Sequence, residues 1–171
     1  MDFPVNHPQF VTITVHEWKH LLKPDKYKKI IIDSLAFLVE QKRIKLFAFV
    51  IMNNHMHFIW QIQANHTQSN VQRDFLKFVA QKIKFDLIKY HPKVLEKFAV
   101  SLNDRKYQFW KRNSLSVELY SPAVFEQKLT YIHQNPVKAG LCRLPEEYSW
   151  SSARFYIINE KNFSFLSHYE E

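Results

Sequence analysis

At 171 residues and 20.7 kDa the chain fits one domain spanning 1–171. Its hydrophobic content of 46%, with 15 Phe, 8 Tyr and 4 Trp, supplies enough apolar surface for a core that folds by itself. Lys and Arg outnumber Asp and Glu by 24 to 16, a net charge of +8 that favours a polyanionic partner but does not choose among DNA, RNA and membrane, while the single cysteine, Cys142, excludes an internal disulfide and any multi-cysteine zinc site.

No apolar run reaches the ~18 residues of a membrane span, and Met1-Asp2-Phe3-Pro4 lacks a basic region followed by a long apolar one. A soluble, cytoplasmic protein is expected. In chain order, Phe10 to Val15 is rich in β-branched residues and predicts a first strand. Pro24-Asp25 opens a helix with Tyr27, Ile30, Ile31, Ser34, Leu35 and Leu38 near one face, ending around Arg43. Lys26, Lys28, Lys29, Lys42, Arg43 and Lys45 read as the solvated side of that helix and its exit.

Leu46 to Met52 predicts a buried strand. Asn53-Asn54, a pair tolerant of positive φ, predicts a tight hairpin into a further strand from His55 to Ile62. Ser69 or Asn70 is placed to cap a helix carrying Val71, Phe75, Phe78, Val79, Ile83, Leu87 and Ile88, which stops before His91-Pro92. Val94 to Val100 adds a short helix, and Tyr107 to Trp110 is expected as the fourth strand. Ser121 caps a last helix with Pro122 in its first turn; Val124, Phe125, Leu129 and Ile132 mark its apolar side, and Pro136 is expected to end it near Asn135. Gly140, the only glycine, suits a left-handed residue after a helical turn. The order β-α-β-β-α-β plus a helix gives an α+β fold on a ferredoxin-like plan, with an additional C-terminal helix carrying Tyr131.

Chemistry concentrates in two distant segments. Alternation along a strand sends the side chains of His55 and His57 to one face, where both can grip one divalent cation, and sends Met56 and Phe58 to the other. A helix places Asn135 one turn beyond Tyr131, so its amide can complete the coordination beside a phenol. Free phenol titrates near ~10 and is a poor nucleophile at neutral pH, so a tyrosine that attacks phosphorus needs help from a polarising cation. His133, roughly 200° around the helix from Tyr131, is not expected to face that cation, and Glu118 is expected to pair with a lysine. Trp110, Lys111 and Arg112 join a stacking surface to positive charge, as an unpaired nucleotide requires, though Trp110 could equally be a core residue.

These residues resemble the single-tyrosine transposases of the His-hydrophobe-His type, in particular the group associated with repetitive extragenic palindromes. The likeness runs from about Phe10 to Tyr156 through Phe49 to Phe58, Phe109-Trp110-Lys111, Lys128 to Leu141, Pro145 to Tyr148 and Trp150 to Ala153. Asn53 departs from it, standing where proline is common, and Asn113 to Ser116 lacks a His-Pro pair that many relatives carry.

The resemblance implies a Mg²⁺ or Mn²⁺ ion held by His55 and His57 with Asn135 nearby, Tyr131 as nucleophile, and cleavage and transfer of hairpin-forming single-stranded DNA through a 5′-phosphotyrosine intermediate. The protein would act as monomer or homodimer. Two other readings of the residues stay open: a basic nucleic-acid-binding module without catalysis, its histidines structural, and a metal-dependent hydrolase that activates water.

Overall fold

The computed structural model describes residues 6–170, so Met1-Asp2-Phe3-Pro4 and the expectation attached to it lie outside the described residues. The elements are β1 (Gln9–Thr14), α1 (Asp25–Glu40), β2 (Ile44–Ile51), β3 (His55–Ile62), α2 (Gln68–Tyr90), α3 (Pro92–Glu96), β4 (Leu115–Glu118), α4 (Pro122–Lys138) and α5 (Ala153–Ile157). They make an α+β fold around one sheet of order β2-β3-β1-β4, antiparallel at every pairing. Among the described residues, no helix is long and apolar enough to cross a membrane.

Strand alternation gives the sheet two apolar faces. Val11, Ile13, Phe49, Met56, Phe58 and Trp60 pack against Ile31 and Leu35 of α1 and Phe75, Val79 and Ile83 of α2. Phe10, Val50 and Ile59 form the opposite face under Phe125, Leu129 and Ile132 of α4. A register shift between Leu46 and Ala48 in β2 places both Phe47 and Ala48 on the α4 side, widening the surface on which that helix sits.

The C-terminal segment covers the exposed edge of β2, which would otherwise offer unpaired backbone groups. Val50 bridges Ser151, the Ile51 N–H donates to the Trp150 carbonyl, and the Ser167 N–H donates to that of Leu46. Ser152 Oγ lies 3.0 Å from the Phe49 nitrogen and 2.9 Å from His133 Nε2, tying the strand edge to the buried side of α4. The Trp150-Ser151-Ser152 segment is therefore structural, and His133 faces away from Tyr131 as the helical geometry required.

Several expectations are corrected. Tyr107 to Trp110 is not the fourth strand; Tyr107 and Trp110 make single bridges to Ala99 and Val15, and the strand forms at Leu115–Glu118 beside β1. Lys28 is buried, its ammonium donating to the carbonyls of Leu22 (2.7 Å) and Lys23 (2.8 Å) and to Asn53 Oδ1 (3.1 Å). Asn53 thus receives a bond that a proline there would forgo. The Asn53-Asn54 hairpin forms without positive φ, because its carbonyls are drawn outward to the N–H groups of Leu22 and Val15.

Helix ends shift as well. Thr67, not Ser69 or Asn70, caps α2, its hydroxyl accepting from the Asn70 N–H. Phe78 and Ile88 point outward from that helix, whose buried row is Val71, Phe75, Val79, Ile83 and Leu87. Helix α1 ends at Glu40 instead of Arg43, and the short helix is Pro92–Glu96. Helix α4 runs past Pro136 to Lys138, with Pro136 buried two residues from the end; Gly140 at φ +74° then closes it, Leu141 N–H reaching the Pro136 carbonyl and Gly140 N–H that of Val137. The stop comes from this closure and not from the proline.

Candidate active site

A cleft of about 630 Å³ opens on the α4 side of the sheet, floored by Phe10, Thr12, Thr14, His55 and His57. Its α4 wall follows from spacing: Lys128, Tyr131, Asn135 and Lys138 recur every three or four residues and share one side of the helix. Burial of Phe125, Leu129 and Ile132 against the sheet fixes which side that is. The Tyr131 ring lies 5.3 Å from the His57 ring and 5.8 Å from Phe10, and remains 42% exposed. The two imidazole centres are 5.0 Å apart.

His57 is buried, stacked on Phe10 at 5.2 Å, and its Nδ1 sits 2.9 Å from the hydroxyl of Thr12, the residue paired with it across the strands. Its Nε2 is buried with no hydrogen-bond partner. His55 Nδ1 lies 2.8 Å from Asn54 Oδ1, an acceptor, so that nitrogen carries the hydrogen and Nε2 keeps its lone pair. That lone pair is 3.3 Å from Asn135 Oδ1. Two acceptors turned toward each other, beside the unpartnered His57 Nε2, make a donor set that can take a cation when the Thr12 hydroxyl accepts from His57 Nδ1.

Electrostatics keep both rings in the ligand form. Burial, then His55 and Lys128, push His57 down to about 3. Burial also lowers His55, partly offset by the Asn135 amide. Both are neutral at pH 7, leaving each Nε2 free to bind a metal. Among the described residues, no three His, Cys, Asp or Glu side chains converge, so the set is two imidazoles and an amide, all uncharged. Such a set fits Mg²⁺ or Mn²⁺ only with oxygen ligands from water or phosphate filling the remaining positions.

Three residues that sequence reasoning passed over line the same cleft. Lys128 and Lys138 hold their ammonium groups 5.7 and 5.8 Å from the centre of the Tyr131 ring. Their spacing of three before and seven after Tyr131 was readable as one helical face. Trp18, from the short turn after β1, stands 6.1 Å from His55 and had no periodic signal to reveal it.

Trp110, Lys111 and Arg112 lie elsewhere, in a neighbouring groove with Arg73, Lys77 and Arg105. Trp110 is half-buried against the core, its indole N–H donating to the Leu76 carbonyl at 3.1 Å, so it anchors the groove floor. Lys111 reaches toward the cleft, its ammonium 5.9 Å from the Trp18 ring. Among the described residues Glu118 makes no ion pair with the lysine expected for it, and its carboxylate raises the pKa of the neighbouring Tyr120 phenol.

The fold and cleft define an α+β protein with a basic, histidine-floored cleft opposite a helical tyrosine. No protein-family model and no curated protein sequence matches the chain. Among solved structures it is similar to a REP-associated tyrosine transposase bound to a REP hairpin, with a TM-score of 0.66 and 16% identity over 89% of this chain and 79% of that one. That likeness establishes a shared fold. A second similar structure, from Deinococcus radiodurans, has a TM-score of 0.49 and 14% identity over 78% of this chain and 95% of its own.

Proposed function

We propose that the protein cleaves and rejoins hairpin-forming single-stranded DNA, with Tyr131 as the nucleophile. The observation that carries this reading is the convergence of the Tyr131 ring, the orphaned His57 Nε2 and the facing His55 and Asn135 acceptors in one cleft. On this reading the β2-β3-β1-β4 order with its α1 and α2 crossovers is the ferredoxin-like plan, α4 is the added helix that carries the tyrosine, and the transposase bound to a REP hairpin is its relative in chemistry as well as fold.

Tyr131 Oη attacks phosphorus in line as its proton passes to water. The P–O3′ bond breaks and the departing oxygen takes a proton from water, leaving a 5′-phosphotyrosine and a free 3′-hydroxyl. Because the phosphodiester is kept in that linkage, attack by a DNA 3′-hydroxyl releases the phenol and rejoins a strand without a nucleotide cofactor. Lys128 and Lys138 neutralise the phosphate brought against the Tyr131 ring. Thr12 holds the His57 ring and Asn54 that of His55, in an arrangement in which His55, His57 and Asn135 would hold a divalent cation. Bound there, Mg²⁺ or Mn²⁺ would supply Lewis-acid polarisation of the phosphate. Lys111 and Arg112 in the neighbouring groove track the strand over the Trp110 floor.

The test is a labelled palindromic single strand mixed with the protein and Mn²⁺. A covalent adduct that disappears on chelation and in both His57→Ala and Tyr131→Phe supports the reading. Strand cleavage with no adduct identifies a hydrolase, and salt-dependent binding without cleavage under any divalent metal identifies a binding module.

A further inference from the structure

We propose that the Trp18 indole is a stacking platform that positions the base beside the scissile phosphate, a deepening that rests on the reading of the cleft as a single-strand site. Trp18 is 54% exposed although it is among the largest apolar side chains, so core packing does not explain it. It lines the same cleft as Tyr131, Lys128 and Lys138, 6.1 Å from His55 at 67° between the ring planes. The Lys111 ammonium lies 5.9 Å from the indole centre. An exposed indole beside a cation is what an unpaired base with its phosphate binds, and it does so with any base, since every base has a π face.

The backbone beneath is held in a costly shape. Glu17 and Trp18 are successive non-glycine residues in the left-handed region, at φ 55° and 57°, where a Cβ crowds the carbonyl. A turn serving only as a connection would relieve this with glycine or asparagine. Here it is over-determined. The Trp18 N–H donates to the Val15 carbonyl, the N–H groups of Val15 and Leu22 donate to Asn54 and Asn53, and that of His16 donates to Phe109. Glu17 sits between His16 and Lys19, at 3.3 and 3.2 Å. The buried Lys28 ammonium ties Leu22, Lys23 and Asn53 together. The turn is thus fastened to the hairpin that leads directly into His55, which fixes the indole relative to the imidazoles.

Trp18 is a positioning residue: it touches the neighbouring base and not the reacting atoms. Loss of stacking present equally in ground and transition states raises KM and leaves kcat unchanged. Loss of the ring is expected to weaken single-strand binding by roughly 5- to 150-fold. The experiment uses palindromic oligonucleotides carrying 2-aminopurine at successive unpaired positions flanking the hairpin, read by fluorescence quenching on the Tyr131→Phe protein so that no cleavage intervenes. Trp18→Leu and Trp18→Tyr are compared in that background and for adduct formation in the parent, with thermal melts confirming that each variant folds.

The proposal requires quenching at one position that Trp18→Leu abolishes and Trp18→Tyr largely restores, with KM for adduct formation raised in Trp18→Leu and kcat unchanged. Quenching that is absent in the parent, or equal in Trp18→Leu, overturns it, while adduct formation by the parent keeps the cleavage reading standing. Trp18-dependent quenching with no adduct under any metal does the reverse, supporting the platform and ending the nuclease.

Discussion

Acidification offers a sharp test of how the α4 side of the sheet is built. His57 and His133 are buried on that side and held neutral, His57 down to about 3 by burial and its charged neighbours and His133 to about 4 by burial alone. In the unfolded chain both titrate near ~6.5. Between pH 6.5 and 4 the unfolded state therefore binds more protons than the folded state, so the stability is complete above pH 6.5 and drains away as pH falls. At pH 5 each histidine has given up about 1.5 pKa units at 1.36 kcal/mol per unit, about 2 kcal/mol each and about 4 kcal/mol together.

Urea unfolding in EDTA at pH 7.5, 6.5, 5.5 and 5.0 measures this directly. His133→Gln keeps a polar partner for Ser152 but does not titrate. The substitution carries its own cost at pH 7.5, yet the further loss from pH 7.5 to 5.0 should be smaller than that of the parent by about 2 kcal/mol. An unchanged loss in His133→Gln would refute the burial argument for that ring. A parent protein of constant stability down to pH 5 would refute it for both.

Three further outcomes are expected. Lys28→Met removes one ammonium and leaves two carbonyls and the Asn53 amide without their donor, so it should destabilise the fold by about 3 kcal/mol in urea unfolding, where a solvated lysine would cost under about 0.5. Thr12→Val frees the His57 ring it holds and should weaken Mn²⁺ binding about tenfold by titration calorimetry, while changing unfolding free energy by about 1 kcal/mol or less. Lys128→Ala and Lys138→Ala should each flatten the log–log salt dependence of single-strand binding by about 0.7, and unchanged slopes would remove those ammonium groups from the phosphate path.

The sequence made the sheet and the heart of the cleft readable because both rest on short-range periodicity. Alternation alone put His55 and His57 on one face, and a helical turn put Tyr131 and Asn135 on one side of α4. What brought the two together was the buried row Phe125, Leu129 and Ile132, which also sent His133 inward. Features set by tertiary partners were not readable. Lys28 looked like one of many surface lysines, and only the loop from Leu22 to Lys23 and the Asn53 turn reveal why it is buried. Trp18 sits in a turn whose left-handed residues carry no glycine to announce them. The fourth strand was sought in the aromatic run at Tyr107 to Trp110, but Leu115–Glu118 won the pairing because β1 offers its free edge there and Trp110 is drawn down onto α2.

The most direct measurement is peptide mapping of the protein–DNA adduct by mass spectrometry after proteolysis and nuclease trimming. The account predicts a nucleotide remnant linked through a 5′-phosphate to the peptide containing Tyr131, formed only with a divalent cation. A remnant on any other residue, or cleaved DNA with every peptide unmodified, would contradict it.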